Sequence, residues 1–553
     1  MADKSNKNEY ATRGLNQIPR LLSLQDRNPY SKTYGCFTRQ YWLDTTADFP
    51  TALAQFGTQA LALAYANKMP GNIYYKQEKI KNWTIAGIEY WISLQHSDGS
   101  FDEFYPNERG WAGPTGFLLY AMFSSYQALG EEFPPKLKTN FIKTCHKAGI
   151  FLAKYDEYGV LFNHHAMALL PIFAAYRLTN DNYLLIQYEK KFAEFKSYFS
   201  SEGWGLEYDG PDLGYLSATV SFLAKLHKLN PPNKKEIENM CKQMIEFSSY
   251  FVYPNGFYAG TMGSRNTLHF YPHGYEYFAK QFPLASKIAK VLLNSLKNDK
   301  LVAPEIQADR YFLYRIPEFL ESYLESKTRK RNLPKLAYEK RSFSKYFPEA
   351  QIQIKNTSYY YLVINAKKGG MAKVFNKTGE LIENDCGILL KNEQGQILTS
   401  QWNNPEYKIK QNKQQLIISG NLTFSKQKVF TPLKFILFRL FVICFAWQTQ
   451  LAYWTKGLIR MLLMLGNKKT SVSFSRQFNF TNKNIQIIDI IANPEKIKFA
   501  QGLIGDEIPV RYVPQSRYFQ NQELKTTAYV LSQKQLNQLN LKGKLKIVRK
   551  INI

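Results

Sequence analysis

A chain of 553 residues is long enough for two or three domains with sizeable cores. Its five scattered cysteines lack any CxxC or Cys/His spacing, which argues against a disulfide framework or structural zinc and fits a reducing compartment. The net charge of +28 is lopsided: residues 331–553 carry 35 Lys/Arg against 12 Asp/Glu, and the first 330 carry 37 against 32. Such a field attracts an anionic partner. Nucleic acid is not the expected one, because no phosphate loop, zinc-finger spacing or helix-turn-helix signature accompanies the charge.

The opening residues, MADKSNKNEYATRG, contain no apolar core or cleavage site, so no secretory signal and a cytoplasmic location are expected. Apolar positions then recur at helical spacing over 51–66, 83–94, 115–129, 141–152, 164–178, 215–226 and 237–251. Short turns pairing glycine with aromatics lie between them: Asp98-Gly-Ser-Phe101, Tyr158-Gly-Val-Leu-Phe162, Gly203-Trp204-Gly205 and Asn255-Gly-Phe-Tyr258. Their spacing is about one helical hairpin per interval. A lone hairpin cannot bury its apolar face, so stacking into a toroid or solenoid over residues 1–330 follows.

The basic run Lys327-Thr-Arg-Lys-Arg-Asn-Leu-Pro334 reads as a linker. Beyond it, β-branched or alternating runs at 351–355, 359–365, 414–420 and 484–491, with turns at Asn376-Lys-Thr-Gly and Asn392-Glu-Gln-Gly, predict an antiparallel β-sandwich over 335–553. One insertion, 431–467, breaks the pattern with two apolar stretches joined by Gln448-Thr-Gln450. Each stretch is too short and too charged to span a bilayer. Trp447, Tyr453 and Trp454 near the joint, with Lys426, Lys428, Lys468 and Lys469 as flanks, suit an in-plane hairpin on anionic lipid; a helical insertion docked on the protein's own core is the plainer alternative. The expectation is a multidomain α+β protein, peripheral to the membrane.

The chemistry-bearing residues cluster where loops feed helices. Asn163-His164-His165 opens one apolar helix, and the run Gly203 to Tyr215 opens the next. An amide and an imidazole can neutralise a carboxylate and stabilise the enolate formed when the neighbouring proton leaves. A tyrosine within reach can accept that proton or give one to the leaving oxygen, if a cation lowers its pKa. Arg265, in Gly263-Ser-Arg-Asn-Thr267, could be that cation, with His269 and His273 close behind. Trp111 and Trp204 could stack on sugar rings, though buried aromatics mostly serve packing. Glu207, Asp209 and Asp212 crowd together as a pair of glycosidase carboxylates would, but Asp-Gly-Pro-Asp is also ordinary turn chemistry.

Asn-His on one toroid loop and Tyr on the next, followed by strands, resembles the heparinase II/III-like polysaccharide lyases and their alginate-lyase relatives. That resemblance implies an α/α toroid followed by a β-sandwich, acting by β-elimination on an acidic, uronate-containing polysaccharide. It places Asn163 and His164 on the uronate carboxylate and gives the proton to Tyr215, with Tyr208 as the second match. One departure stands out. All seven histidines lie at or before His273, and the stretch Gly369-Gly-Met-Ala-Lys-Val-Phe-Asn376, where such lyases commonly add a His, has none. No zinc or other cofactor is therefore expected, and either His269 or His273 substitutes or activity is reduced or lost. Two other readings stay open: a catalytically degenerate glycan-binding protein of surface-polysaccharide assembly, and a glycoside hydrolase using Glu207 and Asp212.

Overall fold

The structure, a computed structural model, describes residues 2–155, 161–258, 260–326, 329, 332–425, 431–460, 468–506, 508 and 518–553. Fourteen helices precede the linker: α1 (Ala2–Leu15), α2 (Ile18–Leu24), α3 (Arg39–Trp42), α4 (Gly57–Ala66), α5 (Glu78–Ser93), α6 (Ala112–Leu129), α7 (Pro135–Lys154), α8 (Phe162–Thr179), α9 (Asn182–Ser197), α10 (Leu213–Lys228), α11 (Lys234–Ser248), α12 (His273–Tyr277), α13 (Pro283–Lys297) and α14 (Asp309–Glu325). A small ladder of β1 (Phe199–Ser200) and β2 (Trp204–Gly205) sits before α10.

Six helices form a closed inner ring. α4 packs on α6, α6 on α8, α8 on α10, α10 on α12, α12 on α14, and α14 returns to α4. Outer partners α5, α7, α9, α11, α13 and α1 back them. Residue pattern explains the sorting. Inner α4 (GTQALALAYA) and α6 (AGPTGFLLYAMFSSYQAL) are apolar all round because neighbours cover them on several sides. Outer α13 buries Ala285, Ile288, Ala289, Leu292, Leu293 and Leu296 along one face and leaves Lys290 and Lys297 outside.

Two of the glycine turns share one geometry. Gly99 and Gly203 have φ of +95° and +90°, and a Cβ on either would stand 2.4 Å from a carbonyl oxygen of the backing outer helix, Lys147 and Gln243 respectively. Only glycine fits such a left-handed turn pressed on backbone. Residues 158–160 of the Tyr158 turn lie outside the described residues. The α/α toroid expected from the spacing is present, with outer α1, α9 and α13, inner α12 and ring-closing α14 added to the helices the periodicity identified.

After the linker come two antiparallel sheets. The first runs β3 (Phe343–Phe347), β4 (Ile352–Asn356), β5 (Tyr360–Asn365), β6 (Met371–Asn376), β7 (Leu381–Asp385) in order. The second contains β8 (Ile388–Asn392), β9 (Ile397–Thr399), β10 (Lys408–Gln411), β11 (Gln415–Phe424), β12 (Lys469–Phe480), β13 (Asn484–Ala492), β14 (Phe499–Ile504), β15 (Tyr529–Val530) and β16 (Lys544–Asn552), ordered β15-β14-β8-β9-β11-β12-β13-β16 with β10 on β11. The insertion is α15 (Pro432–Phe445) and α16 (Thr449–Arg460), and α17 (Gln533–Lys542) precedes the last strand. Residues 426–430 and 461–467, which include Lys426 and Lys428, lie outside the described residues.

Strand β5 explains how the halves join. Tyr361 and Val363 face the core shared with the helices, while Tyr360, Leu362 and Ile364 face a second core shared with the larger sheet. Burial on both faces is why this strand reads as a nearly unbroken apolar run. The second core also holds a charged cluster. Arg476 donates to Asp489 at 2.6 Å and to Asp385 at 2.7 Å, and all three are fully buried. Arg549 closes the cluster on Asp385, Asp489 and Glu383.

Candidate active site

The loops that lead into α8, α10 and α12 meet at one end of the inner ring. Glu207 is the node. Its carboxylate accepts the backbone N–H of Asn163 at 3.2 Å, and its main chain bridges to Leu161 and Gly210. From the other side, Ser264 Oγ donates to the carbonyls of Glu207 (2.7 Å) and Gly210 (3.2 Å). The β domain braces the same loops. Asn403 donates to the Asp209 carbonyl at 2.6 Å, and Lys368, from the turn after β5, donates to the carbonyls of Thr261 and Gly263 and to the Asn266 side chain.

Asp212 has a structural role. It caps α10 with Oδ1 accepting from Tyr215 N at 3.1 Å, while Oδ2 accepts from Arg265 N at 3.0 Å and Thr267 N at 3.3 Å. A carboxylate engaged by three backbone amides is a clamp between two loops. The same clamp sets Tyr215 on the first turn of α10 and Arg265 opposite it.

Around this scaffold the sequence-selected residues separate into wall and backing. His164, Tyr208 and Tyr215 are partly exposed, whereas Asn163, Glu207, Arg265 and His269 are buried behind them. The Arg265 guanidinium lies 3.7 Å from the Tyr208 ring centroid. Its Nε and Nη1, like Asn163 Nδ2 and Glu207 Oε1, have no hydrogen-bond partner among the described residues. Tyr208 itself has φ of +65°, a left-handed conformation that is strained for an aromatic residue. Phe117, from α6, sits edge-on to His164 with centroids 6.1 Å apart and stacks on Tyr314 of α14 at 6.4 Å. Side chains of α6, α8, α10 and α14 thus come together at this end of the ring.

Electrostatics follow burial. Glu207 is pushed up to about 7 by desolvation, against the pull of Asn163 and the His164 charge. Burial also raises Asp212, opposed by its three amide donors. The Tyr215 phenol is raised well above its ordinary value of 10.0 by burial, with Arg265 pulling it down.

The remaining candidates divide. His269 is buried, its ring centroid 5.5 Å from that of Tyr518. His273 begins α12 and turns to the ring interior: its N–H donates to Glu318, burial and the Lys225 charge lower its pKa, and Lys225 is ion-paired to Glu318 and Glu321. Trp204 is packed in the core with its indole N–H on Glu202 at 2.9 Å. Trp111, at the start of α6, stacks on Phe104 and carries the Lys456 ammonium 3.0 Å from its ring centroid. Sequence reading missed Arg315 of α14. It is fully buried over the Tyr271 ring at 4.3 Å, donates to the Phe270 carbonyl at 2.7 Å, and leaves Nε and Nη1 without partners among the described residues. The apolar spacing of Phe312, Ile316, Phe319 and Leu320 was the available signal for its helix.

Solved structures share this fold. Chondroitin AC lyase of Streptomyces coelicolor A3, in complex with chondroitin sulphate, matches with a TM-score of 0.51 at 10% identity, over 91% of this chain and 68% of that one. What the two share is the fold, a helical toroid followed by β-sheets. A tyrosine-to-alanine variant of the same enzyme matches with a TM-score of 0.50 at 9% identity over the same shares, 91% and 68%. A crystal structure of heparinase III matches with a TM-score of 0.47 at 11% identity, over 82% of this chain and 64% of that one. No protein-family model matches the sequence, and no curated protein matches it. At these identities the likeness establishes the fold, and the chemistry is argued from the residues.

Proposed function

We infer that this protein is a polysaccharide lyase-like protein acting on an acidic, uronate-containing polysaccharide by β-elimination. The supporting observation is the convergence of Asn163, His164, Tyr215 and Arg265 on Glu207 and Asp212, at the mouth of a toroid whose fold is shared with a chondroitin AC lyase. The two sheets are read as the sandwich that such a fold carries behind its toroid.

In this reading the buried Asn163 amide and the His164 imidazole meet the substrate carboxylate and take up the negative charge that develops on it. Tyr215, as the phenolate favoured by Arg265, accepts the proton from the carbon next to that carboxylate. The electron pair left behind forms the carbon–carbon double bond as the neighbouring carbon–oxygen bond breaks. The phenol then returns its proton to the leaving oxygen, so the step is balanced without a co-reactant. Burial holds Tyr215 protonated at rest, so the abstracting form is scarce near neutrality.

The absence of any histidine after His273 favours a second reading, in which the cleft binds glycan without turnover. The hydrolase reading is weakened by Asp212, whose carboxylate is committed to three amides. Incubation of the purified chain with a panel of uronic-acid polymers, followed by ultraviolet absorbance of the unsaturated product, separates the three. Activity that survives both Tyr215→Phe and His164→Ala overturns the lyase assignment. Glycan binding without product supports the second reading. Saturated products lost in Glu207→Gln support a hydrolase.

A further inference from the structure

The hairpin α15–α16 leaves the β domain between β11 and β12 and docks on the toroid. Arg439 pairs with Asp48 at 2.9 Å, Thr449 Oγ1 donates to Asp98 at 2.6 Å, and Lys456 pairs with buried Glu108 at 2.8 Å. Phe438, Phe441, Val442 and Ala446 pack with Tyr105 on that side. One face of α15 is therefore accounted for.

The opposite face is not. Leu433, Ile436, Leu437, Leu440 and Ile443 follow helical spacing, and each is more than half exposed, from 54% to 66%. A contiguous stripe of this kind, unlike singly scattered apolar residues, marks an interaction surface. Trp447 and Trp454, 54% and 63% exposed, lie beyond its end. α15 carries no acidic residue, Lys434 is exposed beside the stripe, and Lys468 stands exposed where the chain returns to the sheet, next to Lys469, which pairs with Glu406. Between Glu406 and Asp489 the sequence holds no acid and 13 Lys/Arg.

We propose that residues 432–460 seat the protein on an anionic lipid surface, with α15 lying in the plane of the interface. Charge complementarity selects this occupant: anionic headgroups take the lysines while the stripe enters the acyl boundary and the tryptophans sit at its edge. Among the described residues no helix is long and apolar enough to cross a membrane, so the attachment is peripheral in geometry. The attachment stands whether or not the cleft turns substrate over.

Vesicle flotation of the full chain tests this, with phosphatidylcholine alone and with added phosphatidylglycerol. The chain should float with the anionic vesicles at low salt, at least about tenfold more than with the neutral ones, and high salt should weaken flotation without abolishing it. Ile436→Glu combined with Leu440→Glu should abolish flotation, with the thermal melt unchanged because both side chains are exposed. Three outcomes overturn the proposal: a chain that stays soluble with anionic vesicles at low salt, a double variant that floats like the parent, or a vesicle-free dimer that the double variant dissolves.

Discussion

Glu207 takes the backbone N–H of Asn163 at 3.2 Å while its other oxygen, Oε1, is buried without a partner among the described residues. A half-satisfied carboxyl group with a pKa of about 7 therefore ties the first turn of α8 to the loop before α10. The Asn163–His164 pair and Tyr215 are spaced by a group that is itself poised between charged and neutral.

This position predicts a pH dependence of stability. The carboxyl is raised from an ordinary 4.5 to about 7 in the folded protein. Its favourable contribution is therefore complete below its unfolded pKa and is lost as pH rises through about 7. Glu207→Gln keeps an acceptor for Asn163 and removes the ionisation. Denaturant unfolding of parent and variant at pH 5 and pH 8 should show the difference moving in favour of the variant at the higher pH, by up to ~3 kcal/mol. Parallel curves at both pH values would show that Glu207 titrates normally.

Arg265 should set where the site works on the pH scale. Its charge lowers the Tyr215 phenol, against burial and the neighbouring acids. Lyase turnover by the phenolate predicts a rate that climbs on the alkaline side. Arg265→Gln should displace that limb to higher pH and lower kcat near neutrality, while glycan binding measured by calorimetry falls less. Asn163→Ala should cost about 10²- to 10³-fold in kcat, the range for removing one donor to a developing oxyanion. A pH profile of Arg265→Gln superimposable on that of the parent would remove Arg265 from the proton transfer.

Some of this was legible in the sequence because local chemistry decided it. Gly99 and Gly203 stand at positions where only a left-handed turn lets a loop press on the backing helix, and such glycines show as a repeat. The Asn163–His164 and Tyr215 helix starts were likewise marked by a switch from polar loop to apolar period. What stayed hidden depends on tertiary contact. Glu207 and Asp212 look alike in a turn-rich run, and only the loop carrying Arg265 and Thr267 makes one a clamp and leaves the other half-satisfied. Arg315 sits on the helix that closes the ring against α4, far along the chain from the loops it faces. Outer α9, with the sequence NYLLIQYEKKFAEFKS, is too polar to stand out, because it buries a single face.

Turn geometry gives a test that leaves the cleft chemistry alone. In Gly99→Ala the added Cβ meets the Lys147 carbonyl at 2.4 Å in a backbone conformation with φ of +95°. Backbone cannot yield as a flexible side chain does, so the cost should reach at least the ~1–2 kcal/mol of a left-handed non-glycine residue. Thermal unfolding of the variant should show a lowered midpoint, and an unchanged midpoint would mean that the turn relaxes freely. Gly395→Ala, with a similar φ of +78° but nothing within 4 Å, should cost less and isolates the contact from the conformation.

The buried charges of the β domain should behave unlike surface ion pairs. Arg476 lies fully buried between Asp385 and Asp489, and Arg549 approaches the same two carboxylates. Removing Arg476 leaves two buried carboxylates sharing one guanidinium, a loss in the range of about 3–5 kcal/mol for breaking a buried pair. Arg476→Met should therefore unfold at clearly lower denaturant. Adding Asp489→Leu to that variant should recover part of the loss, because the orphaned charge opposite is removed as well. A double-mutant cycle by denaturant titration measures the coupling, and additive losses would mean that water or local rearrangement already solvates the cluster.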